Sequence, residues 1–590
     1  MKKTSCADPR PFFHFNQSFL IAWLSSLAGL CIACGSVFAQ TNLFWDQNGA
    51  TSGTGGTGNW GTASTWRAIN DTGTLQNWDN AGTATAHLGG TAGTLTIDVT
   101  SGVSMAALNV TSSGYTIQST ANSRPLSVSG ALTLADGAGL TLAMASTGPT
   151  WGFGSMGFGS GAALSVSGNA TASNSNRVNL STTSTISGGS ITLSGTGAGP
   201  TGFVASAGSS VSVTLNTNIL NNSATSATML GAGSGHTLNY GGVISGSARL
   251  QISAGQTTGA GIVVLANNNT FTGDTYLNHA TSGVLRLGIT DALPTATTLN
   301  MAQSAGGGTA DTGGTLDLAG FNQTLAGVNG AGRGIVNTGS AATLTLSGAG
   351  TYSMSSVIGI PASTTNLSGA NNNIAVAKSG LGTQTLAGAS TYSGGTTLSG
   401  GTLQVTNTSG SATGTGSVTT ASSTTLGGTG TLAPTGSSSV IFGGGVTPGV
   451  TGSAGTLNFT PVDGSVAFQS TSNIVFELFG NGSNDKIIHA ATGAGVLDFS
   501  AMTAGSISVV FVGGYTPGLG HTFDLLDWSG MSGLSASQLS LSTAGFDPSW
   551  AWDLSQFTTN GTLSIVLVPE PGRGAMVMAG LAAWRMRRRR

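Results

Sequence analysis

A chain of 590 residues with 17 Lys+Arg and 19 Asp+Glu is about 6% charged, where an ordinary soluble domain carries roughly 25%. Its 96 glycines stand beside only 14 prolines, and 39% of its residues are apolar, so collagen-like, proline-rich and disordered chains are all excluded. Nine of the cations lie at the two ends, which leaves eight positive and seventeen negative charges between residues 40 and 568, a net of −9; that sign argues against nucleic acid or anionic lipid bound through Lys/Arg clusters.

Residues 1–39 read as a secretory signal peptide. Lys2 and Lys3 precede an apolar stretch from Phe19 to about Ala33, and Val37-Phe38-Ala39 forms a small-residue cleavage site before Gln40. Ser25, Ser26 and Gly29 interrupt the stretch and polar sequence follows at once, which favours a signal peptide over a first transmembrane helix. Cys31 and Cys34 lack the context of a lipid-attachment cysteine. With Cys6 they are the only cysteines, so cleavage after Ala39 leaves no disulfide, thiolate metal ligand or cysteine nucleophile.

Residues 40–90 hold Trp45, Trp60, Trp66 and Trp78 and are expected to cap the first turn of whatever follows, since solenoids need covered ends. The alternative for these tryptophans is an exposed sugar-stacking platform. Residues 91–460 are rich in Gly, Thr, Ser and Val, and the whole body has one glutamate (Glu477) and two lysines (Lys378, Lys486). Helix-forming surface residues are nearly absent, which points to an all-β chain.

The clearest internal unit runs from Val376 to Val405 and contains three short Thr/Leu strands, Thr383–Leu386, Thr396–Leu398 and Thr402–Val405, each ended by Gly or Ser. A divergent copy, Leu265–Leu287, has Phe271 where the first has Tyr392 and Gly273 where it has Gly394, at a constant offset of 121 residues. Stacking such rungs predicts a right-handed parallel β-helix (solenoid) over 91–460, with about 15 to 18 rungs and a length on the order of 80 Å. Asparagine runs 267–269 and 371–373 are expected at its corners, stacked as ladders.

In the first unit, Lys378, Gly380, Gly382, Thr383, Leu386, Gly388, Thr391, Tyr392, Gly394, Gly395 and Thr396 reproduce the pattern K-x-G-x-G-T-x-x-L-x-G-x-x-T-Y-x-G-G-T. This resembles the autotransporter-associated β-strand repeat family, and the resemblance implies a passenger-like exported protein. True autotransporters end in a membrane barrel. Residues 461–568 are too few and lack sustained ten-residue alternation for one, so they are expected to form a C-terminal β cap or small sandwich, with longer strands at 473–479, 506–512, 522–526 and 561–567 and with Trp528, Trp550 and Trp552 covering the end.

Residues 569–590 open on Pro569-Glu570-Pro571, continue through an apolar run from Gly574 to Trp584 and finish on Arg585, Arg587, Arg588, Arg589 and Arg590. They resemble a PEP-CTERM sorting tail. That resemblance implies passage through the general secretion machinery, transient anchoring with the arginines retained inside, and processing near Pro569-Glu570-Pro571 by an exosortase-like enzyme of the inner membrane.

Catalytic chemistry has little to draw on. The five histidines of the body, His87, His236, His279, His489 and His521, have no metal-ligand spacing, and the G-x-G-x-x-G at 53–58 follows no strand and opens no helix. Asp311 with Asp317, Asp485 with His489, and His521 with Asp524 and Asp527 are the acidic candidates; Asn481, Asn484 and Asp485 are a candidate calcium loop. Turn chemistry is the expected role for all of them. The chain therefore reads as a structural or adhesive surface or matrix protein without catalysis or cofactor, with exopolysaccharide or other cell surfaces as partners and no nucleic acid. The alternatives are a polysaccharide-active β-helix lyase or hydrolase, and a carbohydrate-binding surface module.

Overall fold

Strands of three to six residues, alternating apolar and Thr/Ser positions and broken by glycine, are too short to bury a core as a flat sheet. They do so by coiling, each turn setting its apolar positions over those of the turn before. The computed structural model describes residues 41–568 apart from 48–53, 62–63, 122–123, 145–149, 171–174, 207–208, 254–260, 278–282, 302–313, 361–366 and 451. The signal-peptide residues Ala39 and Gln40, the sorting residues from Pro569 to Arg590, and Asp311 and His279 lie outside the described residues. Among the described residues no helix is long and apolar enough to cross a membrane.

The chain forms a parallel β-helix. One 24-stranded sheet contains strands from Asn42–Trp45 to Leu539–Leu541 and runs the length of the molecule. Two further faces complete each turn. In the turn that begins at Asn176–Leu180, the chain passes to Ser184–Ile186 on a second face and Ser190–Leu193 on a third. It then returns to the long sheet at Thr201–Ala205, directly beside its starting strand. Beyond Thr85, parallel partners within the long sheet lie from 19 residues apart (Thr383 and Thr402) to 33 apart (Ile474 and Ile507). Fifteen strand levels of the long sheet fall between residues 91 and 460, the low end of the predicted range.

Register makes the core. One inward column of the long sheet reads Trp151, Val178, Phe203, Leu230, Ile252, Leu277 and Met301. After Gly330 it resumes with Met354, Leu386 and Val405, and all of its side chains are buried. On the third face Phe442 and Phe468 are register partners with stacked rings 5.2 Å apart, and Phe499 stacks on Phe468 at 4.9 Å. The strands expected at Thr383–Leu386, Thr396–Leu398 and Thr402–Val405 have those bounds in the structure.

The boundary placed at residue 460 needs correction. Parallel ladders on all three faces cross it: Gly445 pairs with Asn473, Thr456 with Lys486, and Val440 with Val466. Coiling continues to Leu541, because longer strands stack as well as short ones when the inward alternation is kept. What differs at this end is a small antiparallel sheet of Thr522–Asp524, Trp550–Asp553 and Thr562–Leu567, whose Trp552 packs against Phe511, Phe523 and Phe546. At the other end an antiparallel hairpin, Trp66–Ala68 with Leu75–Gln76, joins the first strand.

Because the Leu386 side chain sits between Met354 and Val405 with 1% exposure, Leu386→Ala is expected to cost about 2–5 kcal/mol. Chemical denaturation followed by circular dichroism measures this. In a chain whose turns contact only their neighbours the loss should also broaden the transition.

Candidate functional surface

The repeat motif places its residues at corners. Lys378 occupies an inward position of the third face, between Leu346 and Leu398, and is 1% exposed. Its ammonium donates to the carbonyl oxygens of Gly380 and, at 3.2 Å, Gly400, the corners of its own turn and the next. Burial pushes its pKa below the ordinary lysine value. Gly382 approaches the previous turn so closely that a Cβ would lie 2.0 Å from the Gly350 carbonyl oxygen, and Gly395 has φ +85°; both positions demand glycine. Tyr392 is fully buried, bonds its hydroxyl to Thr396 Oγ1 at 2.6 Å, and is driven above the usual tyrosine pKa by burial. Leu386 is core.

The two copies of the unit do the same local work on different faces. In the unit at 376–405, Ser390 Oγ accepts the Ile358 N–H of the previous turn at 3.2 Å, and the Thr391 N–H returns to the Ile358 carbonyl at 2.9 Å. In the divergent copy Asn269 Oδ1 accepts the Ile244 N–H at 2.8 Å, and the Thr270 N–H returns to the Ile244 carbonyl at 2.9 Å. Yet Thr383–Leu386 belongs to the long sheet while its counterpart Ile262–Leu265 lies on the second face. The unit is rotated by one face between copies. Three nearly equivalent faces accept it in either phase.

These side chains mend gaps. Among the described residues the third-face ladder stops at Ile244–Ser245 and restarts at Gln323–Leu325. Between them Asn269 Nδ2 donates to the Ala292 carbonyl at 2.7 Å, and the Gln323 amide bonds both the N–H and the carbonyl of Leu293, at 3.1 and 3.0 Å. Gln384 does the same for Val328, two turns away, at 3.1 and 3.0 Å. A buried primary amide thus substitutes for a missing backbone partner. The asparagine runs also bond backbone of adjacent turns (Asn267 to Gly241, Asn371 to Gly339) and are not stacked as the expected side-chain ladders.

The acidic candidates among the described residues are engaged within the protein. Asp317 is buried, ion-paired with Arg286 at 2.8 Å, and accepts from Thr338 and Ala319. Lys486 bridges Asp524 and Asp527 at 2.5 and 2.7 Å. Burial works against the lysine's charge, but these partners outweigh it and hold its pKa above the ordinary value. His521 bonds Tyr515 at 2.5 Å. Asn481 accepts from Thr522, and Asn484 donates to the carbonyls of Asp485 and Asp524. No group of three or more His, Cys, Asp or Glu that could hold a metal ion occurs among the described residues.

One pair of carboxylates escaped the sequence reading. Glu477 and Asp485 line a cavity of about 110 Å³ with Gln404, Thr447 and Val475. Asp485 is 1% exposed and accepts the N–H groups of Gly455 and Glu477, both at 3.1 Å. Burial raises its pKa to about 7, against the pull of those two bonds and with the help of the Glu477 charge. The only clue in the sequence was the hairpin-like G-N-G-S at 480–483, which folds Asn484 back beside Leu478.

The tryptophans pack inward. Trp45, Trp60 and Trp66 are fully buried, and the Trp60 and Trp66 rings meet at 5.0 Å with a 46° tilt. Trp78 meets both at 5.5 and 4.7 Å with tilts of 84° and 51°. Tilted, buried rings close an end; they do not form a flat stacking platform.

A molecule of this construction is a solenoid repeat protein whose turns are largely interchangeable. Two of its segments, residues 257–281 and 376–405, match the Passenger-associated-transport-repeat family. The chain is also similar to "Adhesin BmaC autotransporter" of Brucella suis biovar 1 (strain 1330), 33% identical over 102 residues. That stretch covers 16% of this chain and only 3% of the adhesin.

Two outcomes test the device and the buried acid. Gln384→Leu leaves the Val328 N–H and carbonyl without their side-chain partners and should cost about 2–4 kcal/mol, read from denaturant midpoints. The raised Asp485 pKa contributes stability that is complete below the ordinary carboxylate range and lost as pH rises through about 7. Melting temperature should therefore fall between about pH 4 and pH 7 more steeply in the parent than in Asp485→Asn.

Proposed function

We propose that this chain is an exported surface or matrix protein that acts as a non-catalytic, passenger-like adhesive rod. What supports the reading above all is the long parallel sheet that runs through the coil and carries the two passenger-type repeat segments, a spacer with a repetitive surface. The adhesin likeness agrees with it. Its secretion would use residues 1–39, cleaved between Ala39 and Gln40. Its sorting would use the Pro569-Glu570-Pro571 tail and its arginines, processed by an exosortase-type enzyme, so that anchoring is transient. Exopolysaccharide and other cell surfaces are the proposed partners. Weak contacts repeated at every turn give such a rod avidity without a deep pocket.

A polysaccharide-active lyase or hydrolase has one observation in its favour, the shared cavity of Glu477 and Asp485. At about 110 Å³ it is well below the roughly 300 Å³ of small-molecule sites, and both Asp485 oxygens already accept backbone N–H groups. The adhesive reading therefore stands ahead of it.

Deletion of the gene in its host should reduce attachment to surfaces or to neighbouring cells, with restoration by the parent chain. Fractionation with mass spectrometry of the mature termini should find Gln40 at the start and an end near Pro569. Unchanged attachment, together with release of reducing ends from polysaccharide by the purified protein, would reverse the assignment.

A further inference from the structure

Between Gly334 and Val462 the sequence contains a single charged residue, Lys378, and its side chain is buried. The surface of these turns is therefore electrically neutral. Across it run two outward rows on the long sheet. One consists of Thr351, Thr383, Thr402 and Thr425 in direct register. The other consists of Ser353, Thr385 and Gln404 in register and, beyond Gly427, Thr447. Thr351 and Ser353 are exposed and the other side chains half-buried by their neighbours in the row.

Strand spacing sets the rows' repeat at about 4.8 Å along the axis, and the pleat sets them about 7 Å apart. Each position offers a hydroxyl or amide that both donates and accepts. No aromatic side chain belongs to either row, so the surface is suited to hydrogen bonding along an edge and not to ring stacking. At its far end, Glu477 and Asp485 line the cavity beside Gln404 and Thr447, and the Glu477 carboxylate would repel a polyanion.

We infer that this neutral face binds an uncharged, extended polysaccharide laid parallel to the solenoid axis, its hydroxyls meeting successive rungs. The inference rests on the adhesive reading and names its partner. An axial repeat of one strand per rung is close to the rise of one sugar in an extended β-linked chain, so neighbouring sugars meet equivalent groups. Neutral partners suit a neutral face, because desolvating no charge costs less than stripping an acidic polymer of its counterions and water.

The test uses the full exported chain, with regenerated cellulose as neutral probe and polygalacturonate as anionic probe. Retention should be about tenfold greater on the neutral polymer and insensitive to salt. Thr383→Val/Thr385→Val/Thr402→Val keeps the branched shape and should lower that retention about tenfold with melting unchanged. The matching serine variants keep the hydroxyls and should retain binding, which separates lost contacts from lost folding. Equal or stronger retention on polygalacturonate would overturn the inference. So would valine variants that bind like the parent, or sedimentation showing a parent dimer that the valine variants dissolve, since the face would then belong to a second copy. If cellulose is not bound while cell attachment persists, this inference fails and the adhesive reading survives.

Discussion

Everything in this molecule depends on backbone hydrogen bonding between turns at a fixed separation of about 4.8 Å. Each residue in a ladder stands between two others of equivalent position, so a side chain is selected by what it can tolerate as a neighbour of its own kind. Aliphatic and aromatic groups stack well, as in the Phe442, Phe468 and Phe499 series. Threonine rows share donors and acceptors. Charges repeated at this distance repel, which accounts for a body with eight cations and seventeen anions better than any general surface preference does.

The same constraint explains where polar side chains enter the interior. A turn that lacks a strand on one face leaves an N–H and a carbonyl of its neighbour unpaired inside, a loss of about 1–3 kcal/mol for each group. Asn269, Gln323, Gln384 and Ser390 stand at those breaks, and each offers what a backbone would have offered. Lys378 solves a related problem at a corner, where two glycine carbonyls face inward. These residues are inward by alternation and polar by type, a combination that marks them as structural.

Strands of the clearest repeat were legible because glycine delimits them and alternation gives their inward face. Legibility failed where the cause lay in another turn. Nothing near Gln384 reveals that its partner is Val328, 56 residues away. The continuation past residue 460 was hidden because Asn473–Gly480 is longer and less glycine-bounded than earlier strands, although its inward Ile474, Phe476 and Leu478 keep the alternation. Aromatic crowding at the two ends was visible in composition. Whether those rings faced in or out was a matter of packing, and Trp60 and Trp66 face in.

Among the described residues only the long sheet contains strands along the whole coil; the third-face ladder is interrupted between residues 245 and 323 and the second between 336 and 431. Under axial tension that sheet is peeled, not sheared, since its bonds lie along the pull and open one strand at a time. A rod of this kind has no single breaking force. It yields turn by turn from whichever end is loaded, paying out on the order of 20 to 30 residues of slack with each step. The interrupted faces, held by single amides, are where that unravelling would pause least. Stepwise opening of this kind would spread the work of a sudden load over many turns, and each turn that remained would be a template for the next to rewind on.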